Sequence, residues 1–244
     1  MLEVWSWPTP NGHKVHIALE ELGLEYKVTP VDIGAGDQFK PEFLKITPNH
    51  RIPALVDSDG PSGGPGGKPF TLFESAAILI YLSEKCGGRL IPRDPIGRYK
   101  CLEWIMFQMG GIGPMFGQWN HFGAYAKEKL PYAIERYTNE VARLTRVLNK
   151  RLEETHWLAG DEYSMADIIT FPWIRTAMDS SPRFAGRGTI DLNDYPGVKR
   201  WYEEMAARPA VQRGVAVLSD GPGQKPITDA EREFTFGKTQ FAAR

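Results

Sequence analysis

The first thirty-two residues change period twice, and that switching limits the fold more than any other feature of the chain. Leu2-Glu3-Val4-Trp5-Ser6-Trp7 alternates every second residue, as a strand does. From about Gly12 to Leu22 the apolar positions Val15, Ile17, Ala18, Leu19 and Leu22 read as an amphipathic helix. Gly23 stands where a helix closes on a left-handed glycine. Tyr26–Asp32 reads again as a strand, so the opening predicts a parallel βαβ unit. Two shorter strands follow, Pro53–Asp57 and Pro69–Phe73. Eight of the ten residues from Gly60 to Pro69 are Gly or Pro, which predicts an enlarged turn between them. Ser75 then starts a helix containing Ala76, Ile78, Leu79 and Leu82 and ending near Gly87-Gly88.

Past that point the pattern turns wholly helical. Helices are expected at roughly 96–110, 114–128, 132–154, 164–179 and 195–207. Ser164-Met165-Ala166-Asp167 has capping-box spacing, with Asp in place of Glu or Gln. The division is therefore residues 1–88, a small βαβ–ββα domain; residues 96–218, an all-helical domain; and a tail, 219–244, that either packs poorly or wraps over the body.

Composition narrows the function classes. Of 244 residues, 42% are apolar and 24% charged, enough for a real core, and the net charge is −1. That balance gives no reason to expect nucleic acid or an anionic membrane as partner. No apolar run approaches the roughly 20 residues that span a bilayer, and the first residues lack a signal peptide's basic-then-apolar pattern. Two cysteines, Cys86 and Cys101, make no disulfide framework. The expected compartment is cytoplasmic. His13 and His16 lie one helical turn apart, but no third ligand is evident and no metal is expected. The glycines at 60–67 lack the lysine–hydroxyl end of a phosphate-binding loop.

Three segments of the first domain resemble the glutathione transferase family: Thr9-Pro10-Asn11-Gly12-His13-Lys14, Asn49-His50-Arg51-Ile52-Pro53 and Phe73-Glu74-Ser75-Ala76-Ala77-Ile78. Gly110-Gly111-Ile112-Gly113-Pro114-Met115 and Pro131-Tyr132-Ala133-Ile134-Glu135-Arg136-Tyr137 are similar to its nu-class and Ure2p-like group. The resemblance runs from about Leu2 to Gln212. It implies a thioredoxin-like N-terminal domain, an all-helical glutathione-transferase C-terminal domain and a homodimer. It also implies glutathione as co-substrate, with no covalently bound cofactor.

Glutathione carries two carboxylates, an ammonium and a thiol, and each needs a complementary group. Ser75 opens a helix, where free N–H groups favour an anion and its hydroxyl can donate to the γ-glutamyl carboxylate. Glu74 can face the neighbouring ammonium. Read without the resemblance, the same pair is a helix cap and a dipole partner. The resemblance implies a cis peptide before Pro53 that frees the Ile52 backbone for the cysteinyl segment. It carries over Arg51 and Gln38 as contacts to the glycine carboxylate, although Gln38 reads equally well as a solvated loop residue. Arg136 is carried over as a contact for a second glutathione; otherwise it is an exposed helix charge.

Thiol activation is the more revealing element. A thiol of pKa about 8.5 needs about 2.7 kcal/mol of preferential thiolate stabilisation to fall by two units. No Tyr or Cys lies between Met1 and Leu24, which excludes the tyrosine- and cysteine-based branches of the family. Ser6, Thr9 and Asn11 are left as donors, and Thr9 and Asn11 lie in the turn that faces ligand in the nu-class group. They are the expected catalytic residues. Met106, Phe107, Met109, Met115, Phe116 and Trp119 either line an apolar acceptor pocket or fill the core.

The expected activity is glutathione-dependent reduction of disulfides or of glutathionylated compounds, on glutathione or glutathione disulfide plus a small second substrate, with no protein cysteine in the cycle. Conjugation of glutathione to electrophiles is one alternative. A non-catalytic glutathione- or hydrophobic-ligand-binding regulator is the other.

Overall fold

A computed structural model of the chain describes residues 1–61, 67–219 and 225–241. Its first half is a four-stranded sheet, β1 (Leu2–Ser6), β2 (Tyr26–Pro30), β3 (Ala54–Asp57) and β4 (Phe70–Phe73), in the order β2-β1-β3-β4. β1 and β2 are parallel, with Leu2 opposite Tyr26, and α1 (Pro10–Leu22) makes the crossover between them. β3 and β4 are antiparallel neighbours. Gly60 N donates to Lys68 O at 3.1 Å across the base of their connection; the centre of the expected turn, 62–66, lies outside the described residues.

The alternation read in β1 sets the layers. Leu2 and Val4 face a core shared with Val15, Ile17 and Leu19 of α1, and with Ile78, Leu79 and Leu82 of a later helix. On the other face, Ala54 and Val31 pack with Phe43 from a single-turn helix, α2 (Pro41–Leu44). α3 (Ser75–Lys85) follows β4.

The helical half comprises α4 (Pro95–Phe107), α5 (Gly113–Asn120), α6 (Pro131–Glu154), α7 (Met165–Ala177) and α8 (Pro196–Ala207). Two expected helices are shorter than their patterns. Gln108–Ile112 and His121–Tyr125 widen into π-helical turns. Pro114 has no N–H to give the Gly110 carbonyl, so the α-helical ladder cannot run unbroken through the Gly-Gly-Ile-Gly-Pro stretch. At α7 the capping box forms, and Asp167 becomes a buried hub. It accepts from Leu158 N at 3.0 Å, Ser164 N at 3.0 Å and Trp201 Nε1 at 2.9 Å.

Besides the single-turn α2, two helices were not read from the pattern. α9 (Pro209–Ala216) lies against α1, where a Cβ on Gly214 would stand 2.7 Å from the Ile17 backbone. Arg208–Glu21 and Arg213–Glu20, each at 2.6 Å, clamp the two helices together. α10 (Asp229–Phe236) belongs to the tail, which wraps over the body. α1 thus carries the sheet on one side and the helical half on the other, with its N-terminus at the junction.

Candidate active site

Thr9, in extended conformation, is the N-cap of α1, and its Oγ1 accepts from Gly12 N at 3.4 Å. Pro10 takes the first helical position, where its missing N–H costs nothing. The helix therefore begins two residues before the expected Gly12, and Asn11 is not its cap. Asn11 lines a cleft of about 880 Å³ between this helix end, the His50–Arg51 turn and a wall running from Gln108 to His121. A Cβ on Gly12 would lie 2.2 Å from Trp7 O and 2.5 Å from Ser6 Oγ. Ser6 is fully buried behind α1, which leaves Thr9 and Asn11 of the three donor candidates, and Asn11 lines the cleft.

The remaining glutathione candidates divide. The Ile52–Pro53 peptide is cis, and Arg51 lines the cleft. Glu74 holds φ at 72°, a strain of about 1–3 kcal/mol of the kind found at functional sites. It is the N-cap of α3 and makes no side-chain capping bond, so the simple capping account of the pair does not hold. Ser75 is buried, and its Oγ accepts from Lys14 Nζ at 3.3 Å and faces Met109 Sδ at 3.6 Å.

Gln38 is not the solvated residue that the sequence leaves open. It is buried, and its Nε2 donates to Ile33 O at 3.2 Å and to Phe234 O of the tail at 3.1 Å. Arg136 is exposed on α6 and pairs with Glu140 at 3.5 Å, away from the cleft-lining set. Cys101 is buried in α4, and burial pushes its thiol up. Cys86 caps the far end of α3. His13 and His16 are edge-on, and burial lowers them to about 3 and about 4, so both rings are neutral.

The wall opposite α1 is mixed, with Gln108, Gln118 and His121 set beside Met109, Pro114 and Trp173. Of the six Met and aromatic candidates only Met109 lines the cleft; Phe116 and Trp119 are core, and Met106 is exposed. Gln108 is fully buried, with neither amide atom paired among the described residues, and Trp173 Nε1 is likewise unpaired. Both converge on Gly113, whose absent Cβ would stand 2.8 Å from Gln108 Nε2 and 3.5 Å from Trp173 Nε1. The tail closes the cleft from above: Phe236 meets His121 edge-on at 4.6 Å and stacks on Tyr125 at 5.6 Å. Lys14, Gln108, Trp173 and Phe236 were all missed from sequence. Lys14 alone carried a signal, a cation on the buried side of an otherwise apolar stripe, four residues before Ala18.

A thioredoxin-like half with its ligand-facing helix end at the border of an all-helical half is a specific combination. The N-terminal domain family of glutathione S-transferases matches residues 1–84, and the C-terminal domain family matches 115–209. The chain belongs to the glutathione S-transferase family. It is 48% identical over 218 residues to the disulfide-bond oxidoreductase YfcG of Escherichia coli, covering 89% of this chain and 95% of the relative. A glutathione transferase from Burkholderia graminis, solved with two glutathione molecules per subunit, aligns with TM-score 0.81 and 46% identity over 91% of this chain and 89% of that one. One from Pseudomonas putida, solved with glutathione disulfide, gives 0.81 and 44% over 91% and 92%.

Proposed function

We propose that the chain is a glutathione-dependent thiol–disulfide oxidoreductase in which both reacting sulfurs come from the ligands. A glutathione thiolate attacks one sulfur of the substrate disulfide; one S–S bond forms as the other breaks, and the departing thiolate takes a proton. A second glutathione thiolate resolves the mixed disulfide, giving glutathione disulfide and the second thiol. Asn11, through its side chain and backbone N–H, and the Thr9 hydroxyl stabilise the thiolate at the start of α1. Glu74 and Ser75 hold the γ-glutamyl end, the Ile52 backbone the cysteinyl segment and Arg51 the glycine carboxylate. Gln38, carried over for the glycine carboxylate, ties the loop after β2 to the tail, and Arg136 is assigned to a second glutathione. Support comes from YfcG, named a disulfide-bond oxidoreductase, and from relatives solved with two glutathiones or with the disulfide.

The charge of the cleft favours this reading over conjugation. Its lining carries two cations, Lys14 and Arg51, and no carboxylate among the described residues, which suits a disulfide bearing carboxylates better than an apolar electrophile. Initial rates with glutathione should therefore show kcat/KM about a hundredfold higher for a carboxylated small disulfide than for an aryl chloride. Equal or faster conjugation would overturn the assignment.

The proposed assembly is a homodimer in the cytoplasm. Ile96, Tyr99 and Met106 on α4 and Tyr132 on α6 are more than half exposed, an apolar stripe suited to a second copy.

A further inference from the structure

Lys14 is buried to 1% exposure, an unusual setting for an ammonium. Its Nζ lies 3.3 Å from Ser75 Oγ and 3.7 Å from Met109 Sδ. A thioether is a weak acceptor and a hydroxyl is neutral, so neither partner compensates the charge. Among the described residues no carboxylate forms an ion pair with it; Glu74, at the N-terminus of α3, acts on it from farther off. Burial lowers Lys14 to about 7, and Glu74 pulls in the opposite direction.

The other titratable groups around it supply no second negative charge. His13 and His16 on α1 are neutral, and Arg175 of α7 acts on His13. Across the cleft stand Arg51, His50 and His121. An uncompensated cation at the floor of a ligand cleft is a site for an anion. The N-terminus of α3, one hydroxyl away, is where backbone N–H groups favour one.

We propose that Lys14 is the buried counter-charge of the ligand's γ-glutamyl carboxylate, acting through Ser75 and taking up a proton from solvent as that carboxylate arrives. The role rests on the assignment of Ser75 to this carboxylate. Ser75 Oγ accepts from Lys14 and turns its own proton from Met109 to the ligand. A carboxylate bonded to Ser75 then stands within about 6 Å of Nζ. With an effective dielectric constant of about 20, that separation raises the ammonium's proton affinity about a hundredfold. Lys14 touches neither sulfur; it is a positioning residue.

The sign of the pH dependence follows. Free protein holds the proton fully at pH 6, about half the time at pH 7 and rarely at pH 8. Bound protein holds it at all three. Binding should take up close to no proton at pH 6, about half a proton at pH 7 and about 0.8 at pH 8. Affinity should weaken toward tenfold per pH unit above 7.

Titration calorimetry on the full chain tests this with S-methylglutathione, whose blocked sulfur contributes no proton. Each pH is run in two buffers of different ionisation enthalpy. The ligand's own amine titrates equally in every variant, so the difference between proteins is read. Lys14→Met should abolish the pH-dependent uptake, flatten the affinity profile between pH 6 and 8 and weaken binding at pH 6 by at least about tenfold. Ser75→Ala tests the underlying assignment: wild-type affinity there removes it, and the role of Lys14 with it. Reduced affinity in Ser75→Ala beside wild-type uptake and affinity in Lys14→Met overturns the Lys14 role alone. Should Lys14→Met not fold, the wild-type protein decides, since no uptake at pH 7 contradicts the proposal.

Discussion

Replacing Asn11 with alanine should cut disulfide-reductase turnover by about ten- to a thousandfold, corresponding to roughly 1.4–4 kcal/mol of lost thiolate and transition-state stabilisation. The helix itself should survive, because Thr9 and not Asn11 supplies the capping oxygen. Circular dichroism and the unfolding midpoint should therefore stay close to wild type while turnover falls. The loss is bounded because the alanine variant keeps the residue-11 backbone N–H and the Thr9 hydroxyl at the start of α1. Turnover within a factor of two of wild type would remove Asn11 from the mechanism.

The largest stability effect is expected far from the cleft. Asp167→Ala removes the acceptor of Leu158 N, Ser164 N, Ser164 Oγ and Trp201 Nε1 from a fully buried position. Each stranded donor costs about 1–3 kcal/mol, although relaxation lets some find other partners. A net loss of about 3–5 kcal/mol is expected in denaturant unfolding. Asp167→Asn keeps one acceptor oxygen and should recover part of it. Wild-type stability in Asp167→Ala would mean that the α7 cap and its tie to α8 contribute little.

How far the chain could be read depended on where the information lay. The βαβ opening was legible because Leu2 and Val4 alternate and Val15, Ala18, Leu19 and Leu22 keep helical spacing, and both patterns face one core. The capping box at Ser164–Asp167 was legible for a local reason, its three-residue spacing. The π-helical turns were not, since Pro114 marks a break in the ladder without fixing how the backbone bridges it. α9 escaped because its packing on α1, Gly214 on Ile17 and Arg213 with Glu20, joins residues almost two hundred apart. Asn11 and Arg51, which line the cleft, and Glu74 and Ser75 at the start of α3 were singled out through motifs. Lys14 stood inside one of those motifs, but its neighbour Ser75 is sixty-one residues away in sequence. The burial of Gln38 was not legible because one of its partners is the carbonyl of Phe234, in a tail whose packing no local pattern discloses.

The central claim is that the reacting sulfurs belong to glutathione and its substrate, and one measurement bears on it directly. Cys86 stands at the C-terminal end of α3 and Cys101 is buried in α4, and neither lines the cleft. Steady-state turnover of a disulfide by glutathione should be measured for the Cys86→Ser, Cys101→Ser double variant beside wild type, with folding checked by circular dichroism. The account predicts that the cysteine-free protein keeps most of its kcat, with a modest stability loss from the buried Cys101 site. A folded but inactive cysteine-free protein would contradict it and place a protein thiol in the reaction.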